Sequence, residues 1–137
     1  MTVREIMAVH PRPSSIDQDV LVRCIEECLD CSATCTICAD ADLAEPDLPD
    51  LVKCIRLCLD CADACQATGN ILARLTEPDF DVLRTTSQAC AEACRASADE
   101  CERHAAHHEH CRICEEVCRS CERACNEVIA AISAHVG

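Results

Sequence analysis

The chain has 137 residues, 25 acidic against 12 basic side chains, a formal net charge of −13, and 17 cysteines beside a single aromatic residue, Phe80. That charge is repelled by phosphate backbones and anionic bilayers, so neither nucleic acid nor a membrane is expected as a partner. The length suits one domain, residues 1–137, with a modest core, and cysteine at this density implies a disulfide framework, a metal store or a redox device.

The first 17 residues contain no apolar h-region, no twin arginine and no small-residue cleavage site. No stretch approaches the ~20 apolar residues of a membrane span. A cytoplasmic location is therefore expected, in which thiols stay reduced and cysteine patterns serve metal or catalysis more often than cross-linking.

Glycine occurs only at Gly69 and Gly137 while Ala, Glu, Leu and Arg abound, so the chain reads as helical. A short N-terminal helical segment ends at His10-Pro11-Arg12-Pro13. Ser15-Ile16-Asp17-Gln18 resembles a capping box opening a first long helix, expected over 16–43. Glu45-Pro46-Asp47-Leu48-Pro49 is a turn, with Asp47 as N-cap of a second helix over 48–75. Thr76-Glu77-Pro78-Asp79 separates a third helix over 79–105. A boundary without Gly or Pro, within residues 106–110, precedes a fourth helix over 108–135.

Along these helices the cysteine spacing alternates four and three. CIEECLDCSATC, from Cys24 to Cys35, is repeated as CIRLCLDCADAC, from Cys54 to Cys65. The first helix carries Cys24, Cys28, Cys31, Cys35 and Cys38; the second Cys54, Cys58, Cys61 and Cys65. The third carries Cys90, Cys94 and Cys101, with Ser97 where the frame asks for a thiol; the fourth Cys111, Cys114, Cys118, Cys121 and Cys125. A 4-3 alternation is the a/d seam of a bundle, whereas strand periodicity would scatter these side chains to both faces. Short connections make neighbours antiparallel, so the expected fold is all-α: an up-down-up-down four-helix bundle with thiols in its interior.

The seams also give the interior a direction. Val20, Leu21, Leu72, Leu75, Phe80, Leu83, Val128 and Ile132 fall at one end as an apolar plug. Cys38, Cys54 and Cys111 gather at the other with His104, His107 and His108, which continue the seams of the third and fourth helices. Those three histidines are candidates to bind or pass a metal. His110 is expected to point away, His10 and His135 to be incidental, and Asp30 and Asp60 to be solvated. Met7, a possible soft ligand, is expected to pack the N-terminal segment. The Glu and Arg residues of the last two helices are expected to form exposed i,i+4 pairs.

Packing alone does not explain so many thiols, because a core built for stability uses Leu, Ile and Val. Cysteines at i,i+4 hold their Cβ atoms roughly 5–6 Å apart, beyond the ~3.8 Å of a disulfide. Most of the C-x-x-C pairs lie mid-helix, away from the exposure that redox chemistry needs. Zinc asks for discrete tetrahedral sets and iron–sulfur clusters for local foursomes; neither needs a continuous line of sulfur. Soft thiolates select Cu(I), and the ladder from Cys24 to Cys38 spans about 21 Å, enough for several ions in file. If each copper takes two sulfurs and each sulfur bridges two coppers, capacity is on the order of 17 ions per chain. The empty core holds neutral thiols and folds without metal, with each ion displacing about one proton. The alternative is a zinc-dependent or thiol-redox regulator. No catalytic triad, phosphate loop or acid pair suggests an enzyme.

The repeated C-x3-C-x2-C-x3-C on four helices resembles the bacterial copper storage proteins, over about residues 15–135. The resemblance implies a cysteine-lined bundle assembled as a homotetramer, and the missing signal looks like the cytosolic branch. It also implies copper ligation by all 17 cysteines, from Cys24 to Cys125, and a part in copper admission for the open-end histidines. Ser97 departs from the frame and implies one ligand fewer on the third helix.

Overall fold

The computed structural model describes residues 2–136, and leaves the side chains of His135 and Val136 outside the described part. It is all-helical: α1 (Val3–Ala8), α2 (Gln18–Leu43), a 3₁₀ turn (Leu48–Leu51), α3 (Val52–Leu72), α4 (Phe80–His104) and α5 (Glu109–Val136). The long helices pack in a closed ring, α2 on α3, α3 on α4, α4 on α5 and α5 back on α2. As numbers rise along α2 from Cys24 to Cys35, their sulfur partners fall along α5 from Cys125 to Cys114, which fixes those neighbours as antiparallel.

Helix boundaries follow local chemistry. Asp17, rather than Ser15, caps α2, its Oδ1 accepting from the Val20 amide at 3.1 Å. Asp79 caps α4, accepting from the Asp81 and Val82 amides at 3.0 and 3.1 Å. The second long helix starts later than the sequence suggests, because Pro49 sits in a 3₁₀ turn and Asp47 makes no capping bond. It also ends sooner, at Leu72; Glu77 takes a positive φ of 54° ahead of Pro78 and the chain reverses there.

The expected apolar end is present. Leu21, Leu72, Leu75, Leu83, Val128 and Ile132 are buried, with Val20 and Phe80 packed against them. Met7 and Ile16 fold α1 and its linker over the same end, so Met7 serves packing. Asp30 and Asp60 are exposed, as expected, Asp60 paired with Arg56. Arg95–Asp99, Arg112–Glu116 and Arg119–Glu115 form i,i+4 pairs on the outer faces, and Arg119 also ties α5 to Asp99 and Glu102 of α4.

Α tight contact joins α2 to α3. A Cβ on Gly69 would lie 3.4 Å from Cys28 Cβ, and Ser32 Oγ donates across the same interface to the Ala62 carbonyl at 2.9 Å.

Candidate metal centre

The 4-3 spacing places every cysteine on the inward stripe of its helix, and all 17 are buried and unbonded to one another. Their sulfurs form one column. Near the apolar end Cys24 lies 3.8 Å from Cys125, and Cys28 lies 3.8 Å from Cys121 and 4.0 Å from Cys90. Midway, Cys31 stands 3.8 Å from Cys61, Cys35 and Cys118, while Cys65 stands 3.6 Å from Cys94. Toward the other end Cys35 meets Cys114 at 3.7 Å, Cys58 meets Cys101 at 3.7 Å, and Cys54 meets Cys101 at 3.8 Å. The shortest of these separations, 3.4 Å between Cys35 and Cys118, is far beyond the ~2.05 Å of a disulfide bond.

The column divides into overlapping four-sulfur sets. Cys31, Cys65, Cys94 and Cys121 form one, Cys31, Cys35, Cys61 and Cys118 a second, and Cys28, Cys90, Cys121 and Cys125 a third. Cys31 and Cys121 each belong to two sets, so the arrangement is a lattice of shared donors rather than a row of separate tetrahedra. Ser97 occupies the thiol position that the frame predicts, donating to Cys58 Sγ at 3.7 Å and accepting from Cys118 at 3.5 Å.

Protons are held collectively. Neighbouring sulfur, Cys114 for Cys35 and Cys121 for Cys65, together with burial, pushes the Cys35 and Cys65 thiols upward. Cys28 and Cys58 are drawn downward by hydrogen bonds from Cys121 and Cys101. These thiols titrate as a group, and burial without counterions keeps the empty column neutral.

The open end differs from the sequence expectation in which histidine meets sulfur. His110, expected to point away, turns inward: its Nδ1 lies 3.4 Å from Cys38 Sγ and 3.7 Å from Cys111 Sγ. His110 stands in the first turn of α5 beside Cys111, and its Nε2 is anchored on Glu45 at 2.9 Å. His108 instead bridges two carboxylates of the α2–α3 connection, Nδ1 to Glu45 at 2.8 Å and Nε2 to Asp47 at 2.9 Å. The Asp47 contact raises its pKa. His104 is paired with the buried Glu100 at 3.0 Å, and His107 is exposed.

Asp42 completes the mouth, and the sequence reading passed over it. It is fully buried, its Oδ1 accepts from Cys111 at 3.6 Å and lies 3.7 Å from His110 Nδ1, and its Oδ2 has no partner. Burial pushes its carboxyl up to about 6. Cys38, Asp42, His110 and Cys111 together form a mixed sulfur, nitrogen and oxygen set, reached through a groove lined by Thr34, Ile37 and Ile113. Extending the α2 seam one step past Cys38 would have found Asp42, which stands four residues on.

Comparison with known proteins settles the family. The model of the copper storage protein family, Csp, matches residues 17–130. The chain belongs to the copper storage protein family. Among solved structures, Ccsp from Streptomyces lividans loaded with 10 copper equivalents superposes with a TM-score of 0.93 at 52% identity, covering 95% of this chain and 99% of that one. A cytosolic copper storage protein from the same organism, loaded with five coppers, gives 0.81 at 57% identity over 82% of this chain and 93% of its own. A histidine-to-alanine variant of Ccsp gives 0.85 at 54% identity over 87% and 99%. No curated protein sequence matches. For this family member the bundle and its buried cysteine clusters are those of a copper store, and storage rather than catalysis is the family's activity.

Proposed function

We propose that this chain stores copper as Cu(I), in the cytoplasm, along the whole sulfur column, and that it catalyses no reaction. The observation that carries this reading is the sharing of cysteines between overlapping four-sulfur sets, with donors 3.4–4.0 Å apart on all four long helices. Soft, bridging thiolates favour Cu(I), which accepts low coordination numbers, over zinc in closed tetrahedra. Burial of every thiol disfavours the thiol-redox alternative. The relative described as cytosolic supports the location.

In this reading all 17 cysteines are copper ligands, and copper enters at the mouth, where His110 and Cys38 are the first donors it meets. His104 and His108, held by Glu100, Glu45 and Asp47, keep that rim in place and can pass an ion inward; exposed His107 is the outermost imidazole. Each ion releases about one thiol proton, so loading weakens as pH falls. The family resemblance further supports a homotetramer, and the charge of −13 supports the absence of nucleic-acid and membrane partners.

Titration of reduced protein with Cu(I) against a competing chelator tests the reading. Uptake is expected on the order of 17 ions per chain, with about one proton released per ion. Saturation at three or four ions would refute it. Circular dichroism of the metal-free protein is expected to show the full helical signal.

A further inference from the structure

Two serines lie on the inward stripe of α4, and they stand in different states. Ser97 already exchanges hydrogen bonds with Cys58 and Cys118. Ser87 is fully buried, yet its Oγ has no partner. The hydroxyls of Thr36, Thr68 and Thr85 return to the carbonyl four residues before them, the default for a helical hydroxyl, and Ser87 does not. A buried hydroxyl left in this condition destabilises the fold that contains it.

The register between α2 and α4 shows what Ser87 stands beside. Cys28 meets Cys90 and Cys35 meets Ser97, each at 4.0 Å. Cys31 shares a sulfur set with Cys94, and Cys38 with Cys101. The two helices thus keep an offset that alternates between 62 and 63 residues down the column. The next step toward the apolar end sets Ser87 level with Cys24, the cysteine of α2 nearest that end, whose sulfur lies 3.8 Å from Cys125 and 4.0 Å from Cys28.

A neutral thiol accepts hydrogen bonds weakly, whereas a thiolate accepts them strongly. We propose that Ser87 is the built-in hydrogen-bond donor of the blind end: unpartnered while Cys24 is a thiol, and bonded to the Cys24 sulfur once copper has replaced its proton. The displaced proton leaves to solvent; Ser87 keeps its own and directs it at the sulfur. The hydroxyl that weakens the empty protein therefore strengthens the filled one, and it favours complete over partial filling. This inference rests on the Cu(I) storage reading.

Ser87→Ala and Ser87→Thr, in the full chain, test it. In reduced, metal-free protein Ser87→Ala is expected to raise the melting temperature by about 2–5 °C, because it deletes a destabilising group. In chelator competition its last copper equivalents are expected to bind about tenfold more weakly, with the earlier ones unchanged, while Ser87→Thr restores them. An unchanged or lowered melting temperature in metal-free Ser87→Ala overturns the proposal, as does wild-type affinity for the last equivalents. If wild type loads in bulk and Ser87→Ala loads identically, only this inference falls. If wild type itself takes no more than a few ions, the storage reading falls with it.

Discussion

The two ends of the sulfur column are built from the same four helices and do opposite things. At the blind end Leu21, Leu72, Val128 and Ile132 close over Cys24 and Cys125, and α1 lays Met7 across them. At the mouth the same stripes run out into Asp42, His104 and His110, and the α2–α3 connection adds Glu45 and Asp47. The blind end is held by area removed from water, a non-directional force that tolerates no vacancy. The mouth is held by directed contacts between carboxylates and imidazoles, each weak and near solvent. Stability should therefore reside at one end and the traffic of ions at the other.

Breaking the plug should give the largest effect. Ile132→Ala, at a side chain with no exposure, is expected to destabilise the metal-free protein by about 2–5 kcal/mol in denaturant unfolding, with copper capacity unchanged. Equal loss from a mouth substitution such as His110→Ala would erase the contrast. Asp42→Asn comes next and should have the reverse sign. The Asp42 carboxyl is raised from 3.8 to about 6 in the fold, so between those values the folded chain binds more protons than the unfolded one. Stability from this group is present below about pH 4 and is lost as pH climbs through 6. Removing the charge should then stabilise the metal-free protein at pH 7 by ~3 kcal/mol and flatten its stability between pH 4 and 6, measured by thermal unfolding across that range.

His110→Ala should leave unfolding nearly untouched but slow copper uptake about tenfold in stopped-flow mixing, since it removes the imidazole beside Cys38. Final capacity should be retained. The smallest effect is expected away from both ends: Gly69→Ala adds a methyl at ordinary contact distance from Cys28 and Leu29 and improves helix propensity, for a gain of roughly 0.5–1 kcal/mol. A loss there would mean that α2 and α3 are closer than the 3.4 Å contact indicates.

Much of this was legible in residue order because cysteine marks its own seam. A Leu stripe blurs into other apolar positions, but sulfur at four and three is unambiguous, and the plug residues follow by counting onward along each helix. The mouth was not legible in this way. Asp42 was passed over because an acid on an inward stripe contradicts the usual rule for buried charge. His110 was misplaced because its neighbour Cys111 faces inward, and adjacent helical residues do not normally share a face; the rule fails in the first turn of α5. Asp47 reads as a cap from its place before Leu48, yet its carboxylate goes to His108, 61 residues away in sequence.

Residue order by itself determined the helical class, the inward line of thiols and the apolar closure, since each depends on periodicity within one helix. Only the assembled bundle decided which imidazole touches sulfur, that a carboxylate is buried beside it, and that one serine hydroxyl is bonded while another is left waiting. Those outcomes depend on the offset between helices and on where short connections set the first turn, and neither quantity is written in the spacing along a single helix.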